Sequence, residues 1–163
     1  MTFRDTINAI LNNWNFHRDL TLDILENLSE EQLNLTVGKN MGTLGAQFRH
    51  IGRVQTQYIE AIENKKLGKI QEEYKPEIAK SKKELLDYLQ NTNERMMGFI
   101  NNMNDEELQS LKIDWTYWKE KEMNLAGHLT ALINHINLHN GQIIVYLRTH
   151  DIPFPKSWAA WGL

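Results

Sequence analysis

No cysteine occurs anywhere in the 163 residues. That single absence excludes disulfides, thiolate metal sites, iron–sulfur clusters and a cysteine nucleophile. Any metal ion must therefore be held by imidazole nitrogen and oxygen. Proline and glycine are sparse, 3 and 9 residues, so nothing reads as a low-complexity or linker-rich chain. Neither sign of charge dominates: 18 Lys and Arg face 21 Asp and Glu, a net charge of -3 with His neutral. The basic residues lie scattered among acidic ones, and no electrostatic grip on nucleic acid or an anionic membrane is expected. No apolar run approaches the roughly 18 residues that a membrane span needs. The opening MTFRDTINAILNNWNF lacks the basic-then-apolar order of a secretion signal. Together with the missing cysteines, this leads to the expectation of a cytoplasmic protein.

What is present is helical periodicity in four long stretches. The first runs from about Phe3 to Leu28, with Ile7, Ile10, Leu11, Trp14, Leu20, Ile24, Leu25 and Leu28 mostly three or four residues apart. Ser29 with Gln32 reads as a capping box for a short turn, and VGKNMG then breaks the pattern. Thr43 can cap a second helix from about Leu44 to Lys66, with Leu44, Phe48, Ile51, Val54, Tyr58 and Ile62 on one face. After the charged linker KLGKIQEEYKPEIAK, Ser81 and Glu84 open a third helix that reaches about Met103. Asn104 with Glu107 opens a short helical turn, and DWTYWKEKEM reads as an ordered loop or weak hairpin. Asn124 caps the fourth long helix, to about Leu147, and THDIPFPKSWAAWGL follows as a proline-broken tail. The expectation is one all-α domain over residues 1–163, an antiparallel four-helix bundle with a short irregular insertion before its last helix.

Of the six histidines, only His135 and His139 have ligand spacing. At i and i+4 they project from one helix face, one turn apart, within reach of a common ion about 2.0–2.1 Å from each nitrogen. Both lie on the flank of the apolar stripe made by Leu132, Ile136 and Ile143. Imidazoles placed beside a core need partners, because burying polar groups unpaired costs a few kcal/mol each. A metal is one partner; ordinary hydrogen bonding in a core is the competing account. His128 lies about 10 Å further along the axis, too far to share the ion, and reads as a packing or hydrogen-bonding residue. A third ligand must come from another helix, and His50 is the only histidine on the second. Gln47, Gln142 and Tyr146 are the polar neighbours on the ligand-bearing faces. A di-iron bundle is excluded: it needs Glu-x-x-His pairs, and no Glu stands three residues before any His.

Three segments also resemble a known family: NNWNFHRDLTLDILENLSEEQL, GTLGAQFRHIGRVQTQYI, and NHINLHNGQIIVYLR with its RTHDIP tail. Together they look like the DinB/YfiT-like metalloenzyme superfamily, over nearly the whole chain. The resemblance implies a four-helix bundle holding one divalent ion, nickel, zinc or iron, on His50, His135 and His139. The family pattern His-Arg-Gly-Gln reads here His139-Asn140-Gly141-Gln142, so its Arg is missing, which puts in doubt any part that Arg plays in substrate contact or dimer packing. Some members resemble thiol-dependent S-transferases, which implies a small-molecule substrate and a low-molecular-weight thiol partner. Three His ligands would leave open positions for such chemistry. No Asp or Glu accompanies them as a general base; Glu60 and Glu63 lie off that sector, which favours thiol transfer over metal-dependent hydrolysis. A non-catalytic, metal-binding stress-response protein is the reading outside enzymes. Family analogy and the aromatic residues Trp115, Tyr117, Trp118, Trp158 and Trp161 lead to the expectation of a homodimer, with no nucleic-acid or membrane partner.

Overall fold

Each long helix begins where a side chain can take up its first free amide. In the computed structural model, which describes residues 2–70, 74–116 and 122–163, helix α1 spans Phe3–Asn27 and opens with a capping box between Thr2 and Asp5. Helix α2 spans Leu44–Asn64, with Thr43 accepting from the Ala46 amide. Helix α3 spans Lys82–Asn101 behind the Ser81 cap, and the short α4, Asp105–Ser110, carries the Asn104–Glu107 box. Helix α5 spans Leu125–Thr149, with Asn124 accepting from the Gly127 amide. These caps are the ones that serine, threonine and asparagine form with the otherwise unpaired first-turn N–H groups. Short 3-10 turns lie at Gln32–Asn34, Pro76–Lys80 and Lys156–Trp161. No helix among the described residues is long and apolar enough to cross a membrane.

The segment before α5 is more regular than its sequence suggests. Strands β1, Lys112–Asp114, and β2, Glu122–Asn124, pair antiparallel with Ile113 opposite Met123. Three residues are too few for a period of two to stand out in a sequence. Backbone bonds between Leu67 and Asp114 (2.8 Å) and between Asp114 and Lys65 (3.0 Å) fasten β1 to the end of α2.

The direction of the helices follows from which residues meet. Gln47 of α2 meets His139 of α5 while Tyr58 meets His128, so these two helices run in opposite directions. Likewise Trp14 of α1 bonds Asn93 of α3, and Arg4 bonds the Met103 carbonyl just past the end of α3. Helices α2 and α3 run in the same direction: Thr56 meets Tyr88 and Glu63 meets Arg95. Strict alternation thus does not describe this pair. The connection between them, residues 65–81, is long enough to carry the chain back along the molecule before α3 begins. Gly52 allows their close approach, since a Cβ there would come 2.5 Å from the Tyr88 ring.

Where α2, β1 and α5 meet, His128 is fully buried. Trp115 Nε1 donates to its Nδ1 at 3.1 Å, and its Nε2 donates to the Tyr58 carbonyl at 2.9 Å. An indole N–H can only donate, so His128 is the neutral tautomer protonated on Nε2. Burial pushes its pKa down to about 4, partly opposed by the bond to the Tyr58 carbonyl.

A depressed histidine pKa means that the native state binds fewer protons than the unfolded chain. His128 therefore contributes stability that is present above about pH 6.5 and lost as pH falls towards 4. His128→Leu leaves the Trp115 indole N–H unpaired, while the Tyr58 carbonyl keeps its bond within α2, and is expected to cost about 1–3 kcal/mol at pH 7. Urea unfolding across this pH range should show the variant weaker at neutral pH and flatter in acid. An unchanged profile would contradict this assignment.

Candidate metal centre

The seam between α2 and α5 brings together three of the six histidines. His50 projects from α2, and His135 and His139 project one turn apart from α5. Ring centroids lie 4.4 Å apart for His135–His139, 4.7 Å for His50–His139 and 5.3 Å for His50–His135. One ligand nitrogen from each lies within 4.8 Å of the other two. His139 is buried, His135 half-buried and His50 exposed, so the cluster is open on the α2 side.

Hydrogen bonding fixes the form of His139. The Gln47 amide donates through Nε2 to the Met41 carbonyl at 2.9 Å, which turns its Oε1 towards His139 Nδ1 at 3.1 Å. A carbonyl accepts only, so Met41 sets the orientation of the amide, and Gln47 in turn sets the proton of His139 on Nδ1. His139 Nε2 is then a bare lone pair, and it faces His135 Nε2 at 3.1 Å. Tyr146 steadies the same turn by donating to the Met41 and Gly42 carbonyls at 2.8 and 3.0 Å. Gly42 takes a positive φ there, 69°, a conformation open to glycine without strain.

Electrostatics keeps the cluster uncharged. Burial, with His139 and His50 adding to it, lowers the His135 pKa to about 3. Burial and His50 lower His139 to about 4, against a side-chain hydrogen bond to Gln142. His50 is lowered by burial and by the nearby charges of Arg49 and Arg53. Neutral imidazole is the ligand form of histidine, so no proton must be displaced near pH 7.

The donor set fits a divalent metal. A tetrahedral ion about 2.0–2.1 Å from each nitrogen separates its ligands by roughly 3.3 Å. The 3.1 Å between His135 and His139 is close to that, and His50 has the exposure to close in. Three imidazoles suit zinc, nickel, iron or copper rather than magnesium or calcium. His135 Nδ1 is buried with no hydrogen-bond partner among the described residues. A ring placed at that cost is held for what its other nitrogen does.

The remaining candidates fall elsewhere. His128 joins the Trp115–Tyr58 cluster described above. Asn140, where the family pattern has Arg, is turned away from the cluster: its Oδ1 accepts from Thr21 at 2.7 Å and its Nδ2 donates to the His17 carbonyl at 3.4 Å. It is a buried bridge from α5 to α1. Trp115 and Trp158 pack onto their own chain, while Trp161 is 54% exposed and stacks on Phe16. Tyr117 and Trp118 lie outside the described residues. The part played by Gln47 was not readable beforehand, because its partner lies 92 residues away.

Comparison with known proteins gives the family and the fold. The sequence profile of the DinB family matches residues 3–150. A solved DinB-like protein from Bacillus cereus ATCC 10987 is similar with a TM-score of 0.73 and 24% identity, over 91% of this chain and 95% of that one. A DinB-like protein of Bacillus subtilis, YjoA, is similar with a TM-score of 0.69 and 18% identity, over 91% and 97%. At these identities the likeness speaks for the fold. No curated protein matches the chain.

In metal-free protein, His135 and His139 are expected to stay uncharged at pH 5, whereas a freely exposed imidazole is mostly protonated there. Ring-nitrogen NMR shifts followed from pH 7 to 4 check this. Titration of both near pH 6.5 would show that they are not held as described.

Proposed function

The chain belongs to the DinB family, and on that premise we propose that His50, His135 and His139 hold one divalent metal ion at which a small thiol is transferred to an electrophile. The carrying observation is the convergence of three neutral imidazoles with the His139 lone pair aimed into the cluster by Gln47. An ion in that place would supply Lewis acidity, lowering the pKa of a thiol or water bound to it. The protein's own contribution is positional. Met41 and Gln47 lock the proton of His139 on the nitrogen facing away from the cluster. Burial of His139 keeps water from one side, and the exposed His50 leaves the other side for a substrate.

Transfer is favoured over hydrolysis because, among the described residues, the cluster of possible ligands contains no carboxylate. A hydrolase wants a general base beside the attacking water. A metal-bound thiol needs that base less, because the ion acidifies it directly. We read the four long helices as one bundle forming a single domain, with the cluster on its α2–α5 seam. The same reading includes a homodimer through the outer face of α5. Leu138 and Val145 are 62% and 48% exposed there, with Gly141 exposed between them.

Untagged protein is expected to carry near-stoichiometric zinc, nickel or iron, and His135→Ala to lose it, as read by elemental analysis. Gln47→Ala should keep the fold and weaken metal affinity about 10–100-fold. Metal-loaded wild type should then consume small thiols together with electrophiles. Bound metal without any transfer would leave the non-catalytic reading; no metal in any preparation would make the three histidines ordinary hydrogen-bonding and packing residues of the α2–α5 seam. For assembly, Leu138→Glu with Val145→Glu should shift a dimer to a monomer in sedimentation, and a monomeric wild type would remove that part of the proposal.

A further inference from the structure

Beside the histidine cluster, α2 carries two guanidinium groups that have no carboxylate partner among the described residues. Arg49 and Arg53 line a cleft of about 460 Å³ between α2, α3 and the segment that starts at Tyr74. Both stack on the Tyr74 ring, with Cζ 4.6 and 4.8 Å from its centroid. Arg49 also donates to the Tyr74 hydroxyl at 2.6 Å and to the Pro76 carbonyl at 3.3 Å, while its Nε is buried and unpartnered among the described residues. Arg53 has no hydrogen-bond partner among them, and neither guanidinium has a carboxylate within 4.0 Å. The cleft does contain acids, but Asp87 is taken by Lys83 at 2.6 Å. Among the described residues lining the cleft, Glu77 and Glu84 are matched in number by Lys75 and one arginine, which leaves the second arginine unmatched there.

Two like charges held against one aromatic ring repel each other unless an anion lies between them. Guanidinium is the side chain that grips carboxylate or phosphate with two parallel hydrogen bonds, and stacking on Tyr74 holds its planes ready for one. Arg53 lies one turn along α2 from His50, about 5 Å along the axis. A small molecule with one atom at the cluster can therefore place a second group in the cleft.

We propose that Arg49 and Arg53, stacked on Tyr74, form a subsite for a carboxylate of the small molecule whose reacting atom binds at His50, His135 and His139. This rests on the reading of those histidines as a metal centre that takes a thiol. It narrows the substrate class to extended thiols that carry a carboxylate at least about 5 Å from the sulfur.

Glutathione, its diethyl ester and S-methylglutathione separate the two ideas. In metal-free protein, S-methylglutathione is expected to shift the Nε–H resonances of Arg49 and Arg53, since it keeps the carboxylates and has its sulfur capped. In cobalt-loaded protein, thiolate-to-cobalt absorption should report glutathione binding about 10–100-fold more tightly than the diethyl ester. In Arg53→Met that ratio should fall towards one. The double variant Arg49→Met, Arg53→Met should do the same, and the single variant stands if the double one fails to fold. Unshifted arginine resonances, or equal affinities for acid and ester in wild type, would overturn the subsite. Shifted resonances with no thiolate absorption from either thiol would support the subsite and sink the thiol reading instead.

Discussion

Helix α5 buries polar side chains that must each find a partner on a different element, and most of the architecture follows from that requirement. His128 reaches the Tyr58 carbonyl of α2 and receives the Trp115 indole; His139 reaches Gln47; Asn140 reaches Thr21 of α1; Tyr146 reaches the turn at Met41 and Gly42. An unpaired polar group in a core costs a few kcal/mol, a large fraction of a domain's net stability. An apolar α5 would pack against α1 and α2 in several registers at similar energy. With these four residues in place, one register satisfies them all. The two α2–α5 contacts are spaced alike, eleven residues apart on either helix from Gln47 to Tyr58 and from His128 to His139, so the seam is held at both ends.

That seam explains why the histidine cluster could be read from the sequence and the topology only in part. The i, i+4 pair His135 and His139 and the lone His50 are local patterns, and helix geometry alone says which face they share. The caps at Thr43, Ser81 and Asn124 are local too, and the structure places them at the expected starts. Helix direction is not local. The linker of residues 65–81 permits either a return or a reversal, and what decides is the fit of Tyr88 over Gly52, which no periodicity encodes. The hairpin before α5 was ambiguous for a similar reason. Ile113 is buried, but a three-residue strand gives too short a pattern to separate from a loop. Trp115 and Trp158 could have served an interface or a core, and only their hydrogen bonds to His128 and the Leu20 carbonyl decide for the core.

Within the cluster, the three histidines differ in how firmly they are held, and the difference has chemical meaning. His139 is fixed through Gln47 by the Met41 carbonyl, and Tyr146 braces that carbonyl in turn. His135 is confined by burial, with one nitrogen unsatisfied. His50 is exposed. On the proposed reading, two rigid ligands and one with room to move would form a site able to change its coordination as substrate arrives, whereas a closed structural site would hold every ligand equally. On that reading the asymmetry also gives direction: a substrate would approach from the α2 side, past Arg49 and Arg53.

Charge completes the argument. Three neutral imidazoles bring no negative charge to a divalent cation, and the possible ligands include no carboxylate to neutralise it. Around His50, Arg49 and Arg53 add positive charge and, after burial, depress its pKa. A loaded centre of this kind would be strongly electropositive in a partly dry seam, where Coulomb interactions are weakly screened. Among the described residues, no carboxylate joins the cluster to balance it, and the proposed ligand would. A thiolate supplies one negative charge at the ion, and a carboxylate on the same molecule supplies another at the arginines. Neutral thiols would answer only the first demand, and free carboxylates only the second. On the proposed reading, an anionic thiol lying along α2 from His50 to Arg53 would satisfy both, and the histidines and the arginines would then select for one molecule together.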